Sequence, residues 1–324
     1  MSGIKGKEYI LVKKFHGKPT PENYEVKEFE LPELKDGEFA MEVTYLTVDP
    51  YMRIPAFTVE GQRMPGEGVG VVVQSKNADF PVKSKVMGKT GWATHVVGNA
   101  QDLRILPNDI PQLYYFLGPL GMPGLTAYVE IQKTEPKSGD VFFVNASAGA
   151  VGSVVGQMAK RKGCKVVGCA GSDEKVAYLK TIGFDEAFNY KTNNFAEAMK
   201  AACPDGIDCF VDHVGGSQYD TVMPMMKFGG RVALVGEISG YNETEKPPGH
   251  EVHMPAIGKE LTIRGVIAFA HYHEYPTFHA EYLKLVVSGE IKSETQIYKG
   301  FEKMNEAFLS LFSGSHIGKV VVQL

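Results

Sequence analysis

The sequence is poor in cysteine and in tryptophan. Its 324 residues include only four cysteines, Cys164, Cys169, Cys203 and Cys209, and one tryptophan, Trp92. None of the cysteines forms a C-x-x-C pair, which argues against both a zinc ribbon and a disulfide framework. We expect mostly buried thiols in a reducing cytosol, and a tryptophan that packs in a core.

The sequence also lacks a large excess of charge and any long hydrophobic run. Its formal net charge is −4, so neither nucleic acid nor an anionic membrane surface would be attracted to it. No apolar run has transmembrane length, and the N-terminal stretch "MSGIKGKEYILVKKF" mixes lysines into a run too short for a signal peptide. We therefore expect a cytoplasmic protein whose partners are small molecules.

Composition and residue pattern divide the chain into two parts. Residues 1 to about 122 are rich in Pro, Gly and β-branched residues, which predicts a compact β-rich unit. From about residue 139, short apolar strands alternate with amphipathic helices, which predicts an α/β fold with a doubly wound parallel sheet. The tail after residue 293 is typical of strand, helix and strand, and periodicity alone assigns it to neither domain. The sheet strands are expected in "DVFFVNA", "CKVVGCAG", "EAFNY", "IDCFVDHVGG", "GRVALVG" and "ELTIRGVIAF".

A glycine-containing stretch, "VNASAGAVGSVVGQMAK", begins at the end of the first of these strands. Gly149 and Gly152 would let the backbone turn tightly and approach a pyrophosphate at the N-terminus of a helix predicted from Gly149 to about Arg161. Gly156 would permit close packing of that helix on the sheet. The first glycine of the usual G-x-G-x-x-G is absent, but the strand–helix–strand context that the motif requires is present. The stretch predicts a dinucleotide site.

The second strand ends at "CAGSDEK", with no acidic residue where enzymes that use NAD hold the ribose. A carboxylate there would bond the ribose 2′-OH and repel a 2′-phosphate, and Gly171 and Ser172 leave the place uncharged. Asp173 comes later and is expected to cap the next helix. Lys175 offers a charge to a phosphate, although it could also be a solvated helix cation. The pattern favours NADP(H).

Several longer motifs together resemble one family. They are "TVDPYMR" (47–53), "GWATH" (91–95), "MPGLTAY" (122–128), "NASAGAVGSVVGQMAK" (145–160), "GCKVVGCAGSDEK" (163–175), "GFDEAFNYKT" (183–192), "GEIS" with "YNETE" (236–245) and "GKVVV" (318–322). The chain resembles the zinc-independent medium-chain dehydrogenase/reductase superfamily, in its branch of alkenal and enone reductases. The resemblance implies a Rossmann NADP-binding domain, residues 123–292, inserted in a GroES-like β-rich substrate domain, residues 1–122 plus 293–324. It also implies an active site in the cleft between these domains.

The resemblance implies a set of NADPH contacts. Gly149 to Gly152 would cradle the pyrophosphate, Lys175 and Tyr190 would hold the 2′-phosphate, and Val235 to Tyr241 would line the nicotinamide ribose side. The full set expected to bind the cofactor is Gly149, Ala150, Val151, Gly152, Ser172, Lys175, Tyr190, His213, Val235, Gly236, Ile238, Ser239, Tyr241, Val266, Ile267, Ala268 and His316.

Three features depart from the family pattern. His213 stands in "DHVGG" where relatives read "DNVGG", and His316 stands in "HIGK" where they read "N-x-G-K". Either imidazole can still donate a hydrogen bond, so we expect NADPH binding to survive. Relatives that take carboxylated eicosanoids carry basic residues soon after "DPYMR", whereas this chain has none between that motif and Arg63. A prostaglandin is therefore a less favoured substrate.

The expected chemistry is hydride addition to a polarised alkene. The segment "PGEGVG" has Glu67 but no histidine, and no cysteine precedes Cys164, so no catalytic zinc or other metal is expected. NADPH would deliver hydride to the β-carbon of a 2-alkenal or of an enone such as a 15-oxoprostaglandin. Charge would develop on the carbonyl oxygen, where Tyr51 and Tyr241 are the expected hydrogen-bond donors. Tyr51, Met122 and Pro123 would line the substrate pocket.

Two other functions stay open at this point. One is an NADPH-dependent quinone reductase of the same superfamily. The other is an NADPH-binding structural or sensor protein, which His213 and His316 would favour. The resemblance also implies a homodimer joined through the edge of the Rossmann sheet. At that edge, "TIRGVIAF" is predicted as a long apolar strand, and such a strand would favour aggregation if it were exposed.

Overall fold

The computed structural model describes residues 3–108, 110–245 and 249–324. Short 3-10 helices join several of its helices and strands. The strands are β1 (Lys5–Leu11), β2 (Tyr24–Glu30), β3 (Phe39–Thr47), β4 (Glu67–Ser75), β5 (Lys85–Lys89), β6 (His95–Gly98), β7 (Leu103–Ile105), β8 (Val141–Val144), β9 (Lys165–Ala170), β10 (Glu186–Asn189), β11 (Ile207–Asp212), β12 (Met226–Leu234), β13 (Thr262–Gly265), β14 (Thr295–Lys299) and β15 (Lys319–Gln323). The α-helices are α1 (Met122–Thr134), α2 (Gly152–Arg161), α3 (Asp173–Thr181), α4 (Phe195–Ala202), α5 (Gly216–Val222), α6 (His253–Lys259), α7 (Tyr275–Val287) and α8 (Met304–Ser313).

The chain divides into two compact units. The first unit comprises Met1–Leu117, Thr295–His316 and Val320–Leu324. The second unit comprises Gly118–Glu294 and Ile317–Lys319. Each unit has a sheet and a hydrophobic core of its own.

A parallel sheet forms the centre of the second unit. Its strand order is β10-β9-β8-β11-β12-β13, and every pairing in it is parallel. The strands expected from the sequence are all present in it, which confirms the doubly wound α/β fold. The strand order reverses between β8 and β11, the place where sheets of this kind bind ligands beyond the carboxyl ends of their strands.

The edge strand β13 is shorter than predicted from "TIRGVIAF". It ends at Gly265, and the chain then forms a 3-10 helix over Ala268–Glu274 that packs against α1. Within the described part of the sheet β13 pairs only with β12. The apolar residues that follow Gly265 therefore leave the sheet instead of extending its edge.

The first unit is built on a sheet of mostly antiparallel strands, in which the two C-terminal strands lie on one side of β3. Its order is β14-β15-β3-β4-β5-β7, with β6 also paired to β3, and β1 and β2 form a separate antiparallel ribbon. The C-terminal strand β15 pairs with β3. Trp92 is fully buried in this unit, with its ring 5.7 Å from that of Tyr9 and 5.6 Å from that of Phe308 on α8. Trp92 therefore packs in a core, as the sequence predicts.

The four cysteines are free and buried in the second unit. Burial raises the pKa of Cys164 to about 11 and that of Cys169 to about 12, so these thiols stay protonated at neutral pH. Among the described residues, no group of three or more His, Cys, Asp or Glu is arranged to hold a metal ion. None of the described helices is long and apolar enough to cross a membrane.

Candidate functional site

The turn between β8 and α2 brings a helix N-terminus to the carboxyl end of the sheet. Ala146 has a left-handed φ of 47°, and the Gly149 N–H donates to the Ala146 carbonyl oxygen at 2.9 Å. A Cβ atom at Gly152 would lie 2.6 Å from that same oxygen, so only glycine fits there. Residues 149–151 belong to this turn, which is why α2 begins at Gly152 and not at Gly149 as predicted. The dipole of α2 places partial positive charge at this N-terminus, which favours an anion.

The closing motif of the chain lies beside this turn. The Gly318 N–H donates to the Ala148 carbonyl oxygen at 2.7 Å, and Gly318 forms an isolated parallel bridge with Gly149. His316 belongs to the first unit, where its Nδ1 lies 3.2 Å from the Ser310 carbonyl oxygen. The structure thus places the glycine of "HIGK" at the turn and gives the histidine a partner in its own unit.

Ser172, not Asp173, caps α3. The Ser172 backbone is extended, with φ −156° and ψ 158°, and its Oγ accepts a hydrogen bond from the Lys175 N–H at 3.4 Å. Asp173, predicted as the cap, is the first residue of the helix, and its Oδ1 accepts a hydrogen bond from Asn189 Nδ2 at 2.7 Å. The cap position needs extended backbone, which Ser172 provides. The Asp173 carboxylate is therefore tied to Asn189.

Two side chains lie close to Gly171. A Cβ atom at Gly171 would lie 2.9 Å from Tyr190 Oη and 3.1 Å from Lys191 Cε. Burial, and after it the charge of Lys191, lowers the pKa of the Lys175 ammonium group. Two ammonium groups that repel each other are stabilised by an anion between them. The Tyr190 hydroxyl and the Lys191 stem thus lie beside Gly171, and Ser172 and Lys175 follow it at the start of α3.

The sequence-based set missed Lys191. This lysine directly follows Tyr190 in "NYKT", one residue beyond a predicted phosphate contact. A residue next in sequence points to the other side of an extended strand, which is why adjacency alone gave no signal. Here β10 ends at Asn189, before both residues, so the chain is free to place Tyr190 and Lys191 on one side of Gly171.

Hydrogen bonds join the segments that follow β11 and β12. The Val235 N–H donates to the Asp212 carbonyl oxygen at 2.9 Å, and the Ile238 N–H donates to the His213 carbonyl oxygen at 3.3 Å. The Val266 N–H, just after β13, donates to the Leu234 carbonyl oxygen at 2.9 Å. These bonds hold the carboxyl ends of the three strands in a fixed arrangement. The predicted cofactor residues on this half of the sheet are His213, Val235, Gly236, Ile238, Ser239, Tyr241, Val266, Ile267 and Ala268.

Both ring nitrogens of His213 have protein partners. Its Nδ1 lies 3.2 Å from the Asn145 carbonyl oxygen, and its Nε2 lies 2.8 Å from Glu130 Oε1 on α1. Glu130 is completely buried and was not among the residues singled out from the sequence. The signal that could have found it is a carboxylate near the end of the mostly apolar stretch "MPGLTAYVEIQ".

Tyr241 carries a protonated phenol next to this region. Its Oη accepts a hydrogen bond from the Glu237 N–H at 3.2 Å and lies 3.2 Å from the position of a Cβ atom at Gly236. Burial raises the pKa of Tyr241, so the hydroxyl keeps its proton at neutral pH. A hydroxyl that accepts one hydrogen bond donates its own proton more strongly.

Tyr51 is a second protonated phenol, and it belongs to the first unit. It lies in the 3-10 helix Pro50–Arg53, with its ring 5.5 Å from that of Phe57 in an edge-on contact. Burial, together with the carboxylates of Asp49 and Glu67, holds the pKa of Tyr51 well above its usual value. The Tyr51 hydroxyl therefore keeps its proton at neutral pH.

The remaining predicted residues lie at the start of α1. Gly121 precedes the helix, Met122 is its first residue and is half-buried, and Pro123 is buried. Proline fits the first turn of a helix because its missing N–H would have no partner there. Met122 and Pro123 belong to the second unit, and Tyr51 belongs to the first.

Arg63, the first basic residue after "DPYMR", is already paired. Its Nε and Nη2 both lie 2.6 Å from Glu8 Oε2, and its Nη1 donates to the Thr90 carbonyl oxygen at 3.1 Å. The Arg63 charge is thus offset within its own unit.

Two family models match the chain, and its relatives match it along almost its full length. The model described as "Zinc-binding dehydrogenase" matches residues 150–284, and the model described as "N-terminal domain of oxidoreductase" matches residues 7–106. Prostaglandin reductase 1 of Sus scrofa is 46% identical over 99% of both chains. The 2-alkenal reductase (NADP(+)-dependent) of Nicotiana tabacum is 38% identical over 99% of this chain and 98% of that protein. The crystal structure of CurA from Vibrio vulnificus in complex with NADPH matches with a TM-score of 0.91 and 36% identity, covering 98% of each chain.

Proposed function

Since the chain belongs to the medium-chain dehydrogenase/reductase superfamily, in the zinc-independent branch of prostaglandin reductase 1, we infer that it reduces carbon–carbon double bonds with NADPH. The substrates are α,β-unsaturated ketones and aldehydes. One observation carries the inference. Tyr190 and Lys191 lie against Gly171, at the strand end where an enzyme that uses NAD carries a carboxylate, and the charge of Lys191 acts on the nearby Lys175.

The residues of the second unit fit NADPH in charge and in space. The turn at Gly149–Gly152 and the start of α2 would hold the pyrophosphate, and Lys175, Tyr190 and Lys191 would hold the 2′-phosphate. The segments after β11 and β12 would hold the nicotinamide half. When bound, NADPH supplies a hydride, which adds to the β-carbon of the alkene.

The chain's own groups then handle the charge and the proton. As the hydride adds, negative charge develops on the carbonyl oxygen of the substrate, and a preorganised donor lowers the energy of that state. We assign this role to the O–H groups of Tyr51 and Tyr241, because both phenols stay protonated. The α-carbon takes up a proton from water or from one of these hydroxyls, and the product is the saturated carbonyl compound.

Neutral enals and enones fit better than carboxylated lipids. A carboxylate on the substrate needs a cation that is not already neutralised, and Arg63 is held by Glu8. We therefore place small 2-alkenals and neutral enones first among the substrates, with prostaglandin enones behind them.

Steady-state oxidation of NADPH and of NADH tests the proposed function. The substrates are a long-chain 2-alkenal, a prostaglandin enone and a quinone, measured in parallel, with the product identified by mass spectrometry. We expect NADPH to be oxidised with the alkenal and the saturated aldehyde to form. Turnover with the quinone alone would show a quinone reductase. Tight NADPH binding with no turnover on any substrate would show a protein that only binds the cofactor.

We also propose a cytoplasmic homodimer that pairs through β13. This strand has one neighbour among the described strands, and exposed apolar side chains lie close to it in sequence, with Met254 64%, Ile257 69% and Ile267 51% exposed. An unpaired edge with apolar neighbours favours association with a second copy. Sedimentation equilibrium tests this proposal, and a monomer at micromolar concentration would contradict it. Fractionation of cells tests the compartment.

A further inference from the structure

A buried glutamate and a partly buried histidine share one hydrogen bond at the carboxyl end of β11. Glu130 is completely buried on α1, and its Oε1 lies 2.8 Å from His213 Nε2. The other carboxyl oxygen, Oε2, is also buried and has no hydrogen-bond partner among the described residues. A buried, charged carboxylate raises the free energy of the folded state unless its partner is protonated or the carboxyl group itself takes up a proton.

The hydrogen bonds around the ring show that the pair holds one shared proton. The Asn145 carbonyl oxygen can only accept, so the nearby Nδ1 of His213 carries a hydrogen and donates it. One further proton lies between Nε2 and Glu130, since two acceptors would otherwise face each other. Imidazolium with carboxylate and imidazole with carboxylic acid are both consistent with this arrangement, and both are neutral overall.

The surroundings favour retention of that proton. Burial lowers the pKa of His213, but the carboxylates of Glu130 and Asp212 more than offset this and keep it above its usual value. Burial also raises the pKa of Glu130, which His213 opposes only in part. Glu130 and Asp212 are the two acidic groups that act on the ring, and Asp212 Oδ1 accepts a hydrogen bond from Asn145 Nδ2 at 2.6 Å.

His213 connects the three segments that surround the predicted nicotinamide side. Its backbone N–H donates to Asn145 Oδ1 at 2.7 Å, after β8, and its carbonyl oxygen accepts from the Ile238 N–H at 3.3 Å, after β12. Asn145 is completely buried, which shields its bond with the His213 N–H from water. Glu130 is the only side chain that fixes the outer nitrogen of the ring among the described residues.

We propose that Glu130 and His213 act as one proton-sharing unit that positions the end of β11 for NADPH. Glu130 is a positioning residue, because it acts through the imidazole. The family resemblance implies asparagine at position 213. A neutral amide there would not need a carboxylate partner, whereas the imidazole of His213 has Glu130 to fix its outer nitrogen. The inference rests on the proposed NADPH site.

A double-mutant cycle tests the unit. The variants are Glu130→Gln, His213→Asn and the two combined, with Thr134→Val as the matched control. The Thr134 hydroxyl is buried on the same helix and donates to the Glu130 backbone carbonyl oxygen at 2.7 Å, so its removal deletes one hydrogen bond of α1 and leaves both side chains of the pair unchanged. The readouts are NADPH dissociation constants from fluorescence titration between about pH 6 and 9, a range that spans the usual histidine pKa, and the melting temperature.

We expect the dissociation constant for NADPH to rise roughly tenfold in Glu130→Gln, the loss that one hydrogen bond to a charged group predicts. The wild-type constant rises at alkaline pH, where the shared proton is lost, and this pH response disappears in Glu130→Gln. His213→Asn alone leaves a buried, unpaired carboxyl group and binds more weakly than the double variant, in which no such group remains. Thr134→Val lowers the melting temperature and leaves both the constant and its pH response unchanged.

Two results would overturn the inference. One is wild-type affinity and pH response in a stably folded Glu130→Gln variant. The other is a double variant whose loss equals the sum of the two single losses, since independent residues give additive effects. If His213→Asn does not fold, the NADPH affinity and pH response of Glu130→Gln and of the double variant still show whether Glu130 acts on NADPH binding. A wild-type protein that does not bind NADPH would instead remove the proposed function itself.

Discussion

The hydroxyl oxygen of Tyr190 lies 2.9 Å from the point that a Cβ atom would occupy at Gly171. The glycine thus leaves a space that any other residue would fill, and Lys191 lies on the same side of it. In an enzyme that uses NAD, an acidic side chain occupies the corresponding strand end and excludes a 2′-phosphate. Because Tyr190 lies so close to Gly171, substitution of Gly171 is the most direct test of the preference for NADPH over NADH.

Gly171→Asp should reverse the preference for NADPH over NADH. The new carboxylate would occupy the space beside Tyr190 and repel a 2′-phosphate, so we expect KM for NADPH to rise on the order of a hundredfold. KM for NADH should change much less, because its ribose carries no phosphate. Gly171→Ala, which fills part of the space without a charge, is the matched control and should give a smaller rise. Equal losses with both cofactors would contradict this assignment.

Lys191→Gln should weaken NADPH binding selectively. Removal of one of two ammonium groups near a phosphate is expected to raise KM for NADPH roughly tenfold and to leave KM for NADH unchanged. The pKa of Lys175 should rise as well, because the charge of Lys191 helps to lower it. Lys162→Gln is the control, since Lys162 is exposed at the far end of α2. A change in kcat without a change in KM would show that Lys191 acts elsewhere.

The parallel sheet could be predicted from the sequence, and the first unit could not be predicted in the same detail. Each strand of the parallel sheet is a short apolar run between turn signals, and strand and helix alternate regularly, so local pattern is sufficient. Strands such as β3 and β15 pair across most of the chain, and local pattern carries no information on such pairings. The end of β13 was missed for a related reason, because the 3-10 helix after it depends on packing against α1.

The candidate site shows the same limit at the level of single residues. The glycine turn, Ser172, Lys175 and Tyr190 follow motifs whose chemistry depends on nearest neighbours in sequence. Glu130 and His213 are separated by 83 positions, and only the fold brings them within 2.8 Å. A buried carboxylate on an apolar helix face indicates that a partner exists, but it does not identify that partner.

Tyr51→Phe should lower kcat more than it changes KM. Loss of one donor to the developing charge predicts a fall of about ten- to a thousandfold in kcat. The wild-type rate should show no loss from Tyr51 ionisation up to about pH 10, the usual tyrosine value, because its pKa lies well above that value. Tyr24→Phe is the control in the same unit, since the buried Tyr24 hydroxyl has no hydrogen-bond partner among the described residues. If Tyr51→Phe retains the wild-type kcat, then Tyr51 is not a donor in the reaction.

Gly156→Ala should destabilise the second unit. A Cβ atom there would lie 2.2 Å from Phe184 Cζ, and Phe184 is itself buried, so its ring cannot move aside freely. Overpacking of this kind costs about 1–3 kcal/mol, which outweighs the gain of about 1 kcal/mol that alanine brings to a helix over glycine. Differential scanning calorimetry should show a lower melting temperature.

Two further variants separate the clash at Gly156 from the effect of helix propensity. Gly258→Ala, on α6, meets no atom within 4 Å and should be neutral or stabilising by up to about 1 kcal/mol. Gly156→Ala combined with Phe184→Leu should recover part of the lost stability, because the smaller side chain leaves room for the new methyl group. A loss of stability in Gly156→Ala that Phe184→Leu does not relieve would show that another neighbour of α2, not the Phe184 ring, requires the glycine.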